Sequence, residues 1–308
     1  MKLIVQIPCL NEAESIARTI ADIPKQIEGV TRVETLLLDD GSSDDSVARA
    51  KAAGVHHVLS HSHNKGLAEA FRSGVAQALK LGADIIVNFD GDGQYKGAEI
   101  AALIAPIVAG EADLVVGNRQ VHLMESYTPA KRLMHGLGRR VVNQLGGIEI
   151  TDPVSGFRAF SRHAVRELIV YSAFSYTTET LIQAGNRQLR VAEVLVHTNP
   201  TPRPSRLFRS VRHFVLRTSF TILRTYATYR PLKLFSVIGG VLMLLGAVPI
   251  VRWLMFYVAG NGGGHLQSLI LGSTFMVMGC VAFLFAILAD LQARNRQLLE
   301  HIRRQLQP

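Results

Sequence analysis

The sequence predicts an α/β domain with a largely parallel sheet, followed by a basic amphipathic stretch and a hairpin of two membrane-spanning helices. Three observations predict it. Up to about Thr198, short β-branched apolar runs alternate with longer amphipathic stretches, the pattern of βα units. From Pro200 to Lys233 there is no acidic residue, while arginines recur among leucines and phenylalanines. Beyond it lie two long runs without a formal charge.

The elements follow in chain order. Strands are expected at Leu3–Ile7, Val33–Leu38, His57–Ser60, Ile85–Phe89, Leu114–Gly117 and Val191–His197, each a short apolar run bounded by turn residues. Helices fill most of the gaps. The clearest is Gly66–Leu81, where Leu67, Ala70, Phe71, Gly74, Ala78 and Leu81 recur on one helical face. This domain is placed at residues 1–200. Residues 201–233 are read as juxtamembrane helices, because Arg203, Arg206, Arg209, Arg212, Arg217, Arg224, Arg230 and Lys233 interleaved with apolar residues suit an anionic membrane surface. The hairpin is placed at 234–289. Leu234–Val251 is followed by Arg252, which can snorkel, and by Trp253 and Tyr257, which suit the interface. Gly260-Asn261-Gly262-Gly263-Gly264-His265 is too polar and flexible to continue a helix, and Leu266–Ala289 is the return span. Residues 290–308 are expected to be a basic tail.

Composition bounds the function classes. With 308 residues, 48% of them hydrophobic, the chain can bury a sizeable core, which excludes disorder. Its net charge of +9 would admit nucleic acid, but the basic residues cluster beside the apolar runs, which favours a lipid bilayer and argues against nucleic acid. Cys9 and Cys280 offer neither a disulfide framework nor a metal cluster. Met1-Lys2 runs straight into Leu3-Ile4-Val5 without a signal-peptide core, so the first domain is expected to stay in the cytoplasm. Arg230 and Lys233 before the hairpin, and Arg294, Arg296, Arg303 and Arg304 after it, place both flanks on that side. The membrane would be a bacterial or archaeal plasma membrane, or the endoplasmic reticulum in a eukaryote. Paired hairpins also admit a homo-oligomer through the membrane helices.

The chemistry is expected where strands end. Ile85–Phe89 runs into Asp90-Gly91-Asp92-Gly93-Gln94, and open α/β sheets bind ligands at that carboxyl edge. Residues two apart on an extended strand point to one side, so both carboxylates can face one site. Mg²⁺ takes one or two carboxylates and fills its shell with water and substrate phosphates, which suits a nucleotide diphosphate. Pro8-Cys9-Leu10-Asn11-Glu12 and Asp39-Asp40-Gly41-Ser42-Ser43-Asp44 end the first two strands in the same way. Asp40 reads as a ligand to a base or ribose. Ser42, Ser43 and Asp44 read as helix caps.

Pro8-x-x-Asn11-Glu12, Asp39-Asp40-Gly41-Ser42, Asn64-Lys65-Gly66, Asp90-x-Asp92-x-Gln94, Gly117-Asn118-Arg119 and Asp152-Pro153-x-Ser155-Gly156-Phe157-Arg158 stand in an order that resembles family 2 glycosyltransferases of the dolichol- and polyprenyl-phosphate hexose synthase type. The resemblance covers roughly residues 3–200 and implies a glycosyltransferase-A fold. It implies that Pro8, Asn11, Glu12, Asp40, Asp90 and Lys65 bind the nucleotide-sugar, and that Asp90, Asp92 and Gln94 hold Mg²⁺ or Mn²⁺. It implies that Asp92, Asp152 and Arg119 are catalytic, and that Arg119 and Arg132 face anionic groups of donor or acceptor. Arg158 either joins them at the acceptor phosphate or braces the loop that holds Asp152. Asp152 stands where the family has a base, yet a phosphomonoester hardly needs deprotonation, so orienting the acceptor is the other reading. Where relatives commonly have Gly-x-Ser-Lys, this chain has Arg203-Pro204-Ser205-Arg206. Ser205 and Arg206 are kept as acceptor-phosphate candidates, although proline there removes a donor N–H.

The expected reaction is inverting transfer of one hexose from a nucleotide-sugar to a polyprenyl phosphate at the cytoplasmic face. Rivals are the same fold acting on another lipid or glycan, and a membrane scaffold that binds nucleotide-sugar without turnover. A processive synthase is disfavoured by the lack of a Gln-x-x-Arg-Trp motif.

Overall fold

The structure, a computed structural model, describes residues 1–121, 128–170, 176–199, 220, 223–224, 226–260 and 262–305. They divide into two compact units, 1–219 and 220–308.

The first unit is a seven-stranded sheet ordered β3-β2-β1-β4-β6-β5-β7. Its strands are β1 (Lys2–Cys9), β2 (Arg32–Asp39), β3 (His57–Ser60), β4 (Ile85–Asn88), β5 (Leu114–Asn118), β6 (Arg158–Ser161) and β7 (Val191–Leu195). Six were expected from the sequence, to within one or two residues at each end. Their apolar runs are continuous because helices cover both faces, so neighbours such as Leu3, Ile4 and Val5 are all fully buried. One face packs on α1 (Ile16–Asp22), α2 (Ser46–Ala52) and α4 (Glu99–Val108) through Ile16, Ile20, Ala50, Ile100, Leu103 and Ile104. On the other face, α3 (Leu67–Lys80) brings Gly74 against Leu38 and Gln6, and Phe71 stacks on Tyr176 at 3.9 Å. Leu67, expected on the buried face of α3, is 40% exposed, since the helix has barely begun there. Three more helices lie among the described residues of the unit: α5 (Pro129–Gly146), α6 (Arg162–Glu167) and α7 (Thr177–Asn186).

The missed strand, β6, matters most to the site. It lies antiparallel between β4 and β5, in an otherwise parallel sheet. Because it runs backwards, the segment that precedes it, Asp152–Phe157, arrives at the carboxyl ends of its neighbours. Arg158 is in register with Asn88 on one side and Val116 on the other.

The second unit holds α8 (Pro231–Val258) and α9 (Leu266–Gln305), joined through a short 3₁₀ turn at Gly262–His265. The most apolar windows of these helices have mean hydropathies of 2.4 and 2.3, yet only 11% and 17% of them is buried. Core helices of that composition would be covered. These present their apolar side chains outward, as lipid-facing spans do. Glycines set the distance between them. A Cβ at Gly239 would lie 3.0 Å from the Gly279 carbonyl oxygen, and one at Gly246 would lie 2.8 Å from that of Gly272. The two glycines on each helix are a heptad apart, so the antiparallel backbones meet at both. Within the segment expected as a basic tail at 290–308, α9 continues to Gln305, with Arg294 paired to Asp290 one turn away at 3.0 Å.

Candidate active site

The carboxyl rim of the sheet gathers most of the expected residues. Cys9 pairs with Asp39, Gln6 with Asn88, and Asn88 with Arg158, so the loops after β1, β2 and β4 and the loop before β6 open on one side.

Asp90 and Asp92 sit on the loop after β4. The hydroxyl of Ser15 lies 2.8 Å from the Gly91 carbonyl, pinning that loop to the start of α1. Asp92 accepts the Gln94 backbone N–H at 2.9 Å, a turn that Gly93 permits with φ +73°. Asn199 donates to the Gly93 and Gln94 carbonyls and closes the far side. Behind Asp90 stands a buried polar ladder that the sequence reading missed. Gln6 donates to the Asn88 side chain at 3.2 Å, and Asn88 donates to the Gly156 carbonyl at 3.1 Å and to Asp90 at 3.3 Å. Gly156 lets the loop lie close to Asp90, since a Cβ there would stand 3.0 Å from an Asp90 oxygen. Burial first, and then the charge of Asp92, push the Asp90 pKa up to about 7. A buried carboxyl raised in this way beside a second carboxylate suits a divalent cation. Among the described residues no group of three or more His, Cys, Asp or Glu could hold a metal. The donors present therefore fit a hard cation that shares its shell with phosphate oxygens, and not a closed structural site.

Across the site, Arg119 follows β5 and forms a fork with Asp152, Nε to Oδ2 at 2.7 Å and Nη2 to Oδ1 at 3.1 Å. Asp152 is 1% exposed. The His135 imidazole on α5 reaches its other side at 3.3 Å, and Glu193 on β7 accepts the backbone N–H groups of Thr151 and Asp152 at 2.9 Å. Burial opposes ionisation, but the His135 bond and the Arg119 guanidinium overcome it and hold the carboxyl far below its usual range. A carboxyl held so low is a poor proton acceptor at neutral pH, which weighs against the base reading of Asp152, and its fork fixes the Arg119 guanidinium. Of the two readings of Arg158, its contacts favour the brace. It is fully buried, and it donates to the carbonyls of Ser155, Pro153 and Thr177 and to the Thr180 hydroxyl. It braces the loop of Asp152 and does not face an acceptor. Under the same loop lies the Tyr95 phenol, 2% exposed and stacked on Phe157 at 4.7 Å, its pKa pushed by burial to about 12.

The nucleotide candidates lie at the ends of β1 and β2. Asn11 takes a left-handed φ of +56°, which asparagine tolerates, and its side chain accepts the Ser43 N–H at 2.8 Å. Glu12 donates its N–H to Ser46 Oγ and lies 3.1 Å from the Ser15 hydroxyl. Pro8 is within β1, and its carbonyl crowds Gly91. Ser42, Ser43 and Asp44 were expected to cap a helix, and Asp44 accepts the Ser46 N–H at the start of α2 at 3.0 Å, while all three also tie the two loops together through the N–H groups of Asn11 and Ala13 and the Asn11 side chain. Asp40, expected to contact ligand, accepts the N–H groups of Lys65 and Gly66 at 2.9 and 2.8 Å and His61 Nδ1 at 2.8 Å. Buried and committed in this way, it shapes the loop that carries the exposed Lys65. The carboxylate of its neighbour Asp39 accepts the Ser42 N–H at 2.8 Å. Arg132 lies on the exposed side of α5, one turn before His135. Ser205 and Arg206 lie outside the described residues.

Known proteins resemble this chain in sequence and in fold. The family described as Glycosyl transferase family 2 matches residues 4–169. A UDP-N-acetylglucosamine–dolichyl-phosphate N-acetylglucosaminyltransferase of Methanococcus voltae is 30% identical over 213 residues, 62% of this chain and 83% of that protein. An undecaprenyl-phosphate 4-deoxy-4-formamido-L-arabinose transferase of Yersinia enterocolitica is 27% identical over 321 residues, 98% of this chain and 93% of that protein, a span that includes the hairpin. Among solved structures, glucosyl-3-phosphoglycerate synthase from Mycobacterium tuberculosis with Mn²⁺, UDP and glucosyl-3-phosphoglycerate superposes with a TM-score of 0.54 at 26% identity, covering 72% of this chain and 79% of that one.

Proposed function

The chain belongs to glycosyl transferase family 2, and from that premise we propose that it transfers a single hexose from a nucleotide-diphosphate sugar to a polyprenyl phosphate, inverting the anomeric carbon. The observation that carries the reading is the pairing, on one rim, of the Asp90–Asp92 carboxylates with an arginine locked in place by Asp152. Relatives named as dolichyl- and undecaprenyl-phosphate sugar transferases, and two apolar helices in the same chain, support a lipid acceptor.

In this mechanism Asp90 and Asp92, with Gln94, hold Mg²⁺ or Mn²⁺, as the Mn²⁺–UDP complex of the structural neighbour supports. The bound cation neutralises charge on the departing diphosphate. Pro8, Asn11, Glu12 and Lys65 line the nucleotide, and Asp40 holds the Lys65 loop in place. A phosphate oxygen of the lipid forms the new bond to the anomeric carbon as the bond to the nucleotide's β-phosphate breaks, so no base is required. Arg119 offers a fixed positive charge to the phosphates without reorganising at that moment, because Asp152 already fixes its plane. Arg132 meets the acceptor phosphate. The basic flanks of the hairpin favour a cytoplasmic site.

The test is a mass measurement of the lipid formed from polyprenyl phosphate, Mn²⁺ and a mixture of nucleotide-sugars. A single hexosyl-phosphoryl-polyprenol is expected, and a chain that binds donor yet yields no lipid-linked sugar would replace this reading with that of a scaffold.

A further inference from the structure

Helix α5 carries a surface that the proposed reaction does not use. The helix contains Lys131, Arg132, Arg139 and Arg140 and no acidic residue. Met134, Val142 and Leu145 mark its inward side, all buried. At 3.6 residues per turn the outward side carries Leu133, Gly136, Leu137, Arg140 and Gln144. On it Leu133 is 65% exposed and Leu137 41%.

Two leucines one turn apart, with arginine on the next turn, are poorly matched to water. They are also too small a patch for a stable protein partner, which needs roughly 800 Å² on each side. An anionic lipid surface answers both features, taking leucines at the acyl boundary and arginine among the phosphates. The same helix is stapled to the catalytic loop. Asn143 exchanges hydrogen bonds with both backbone groups of Ile150, at 3.1 and 3.3 Å, and His135 reaches Asp152 at 3.3 Å. We propose that α5 docks on an anionic bilayer surface through Leu133, Leu137 and Arg140, and that this docking sets the 150–152 loop whose Asp152 aims Arg119. The inference rests on the reading that the acceptor is a membrane lipid, and it adds a second contact with that membrane besides the hairpin.

The experiment uses the full chain with Cys280→Ser, a nitrobenzoxadiazole label at Leu137→Cys, and vesicles of phosphatidylcholine with or without phosphatidylglycerol. A control label goes on Lys80→Cys, exposed at the end of α3. Brominated lipids should quench the label at 137 but not at 80, and phosphatidylglycerol should deepen the quenching. Equal quenching at both positions, or energy transfer between labels at 137 on two copies, overturns the docking. In the same vesicles Leu133→Glu with Leu137→Glu should raise KM for the lipid acceptor by about tenfold while Mn²⁺–UDP affinity is unchanged. An unchanged acceptor KM refutes the coupling. A lipid-embedded label in a protein that makes no lipid-linked sugar would sink the proposed function and leave docking intact. The reverse pair of results would do the opposite.

Discussion

Lowering the pH should loosen the metal site through Asp90, and the size of the effect follows from its environment. Burial and the neighbouring Asp92 raise the Asp90 pKa to about 7, so the carboxyl carries a proton below neutrality. A cation must displace that proton, and the apparent dissociation constant then scales with one plus the ratio of proton concentration to the acid constant. Between pH 8 and pH 6 that factor rises about tenfold, or about 1.4 kcal/mol. The assay is calorimetric titration of Mn²⁺ into the UDP-bound protein in two buffers of different ionisation enthalpy. At pH 6 nearly one proton should leave Asp90 per cation, and at pH 8 about a tenth of one. UDP releases protons of its own, so Asp90→Asn serves as the blank. Asp92→Asn removes the like charge and should move the step to lower pH. Without metal the sign is the opposite of a paired carboxylate. The folded state keeps a proton that the unfolded chain has lost, so this contribution is complete below the ordinary aspartate range and vanishes as pH rises through about 7. Equal proton release from wild type and Asp90→Asn at pH 6 would refute the argument.

Three further outcomes follow from the geometry. Asp152→Asn strips Arg119 of a buried partner, and should cost about 3–5 kcal/mol in denaturant unfolding. Turnover should fall while the shape of the pH–rate profile persists, and loss of a pH limb would restore the base role. Arg158→Met removes the side-chain donor to the carbonyls of Ser155, Pro153 and Thr177, of which Thr177 keeps the Thr180 hydroxyl, so thermal unfolding in detergent should come markedly earlier, with a loss on the order of 3 kcal/mol. The acceptor KM of the surviving folded enzyme should not change, whereas a phosphate clamp would raise it. Gly246→Leu drives a side chain into the Gly272 carbonyl, and cysteine pairs placed across the seam should no longer crosslink.

The parallel strands were legible because each is buried on both faces and therefore reads as an unbroken apolar run. The short strand Arg158–Ser161 was not, since it opens on an arginine and looks like the tail of a loop motif. Its direction, which brings Asp152 to the rim, is a property of topology and leaves no local signature. The family resemblance pointed to Asp152, Arg119 and Arg158 but could not say which arginine the carboxylate holds. Here burial decides, and it also turned Asp40 into a holder of the Lys65 loop. The continuation of α9 did leave a trace, in Leu291, Leu298 and Ile302 at helical spacing among the charges. The outward leucines of α5 show only once Met134 and Leu145 fix which side faces in.

The glycine seam of the hairpin has a consequence for the fate of the product. Where Gly239 meets Gly279 and Gly246 meets Gly272, backbone lies against backbone, and no lumen is left for a sugar or a phosphate. A hydrated head group will not cross hydrocarbon unaided. A lipid-linked sugar therefore finds no path between these two helices.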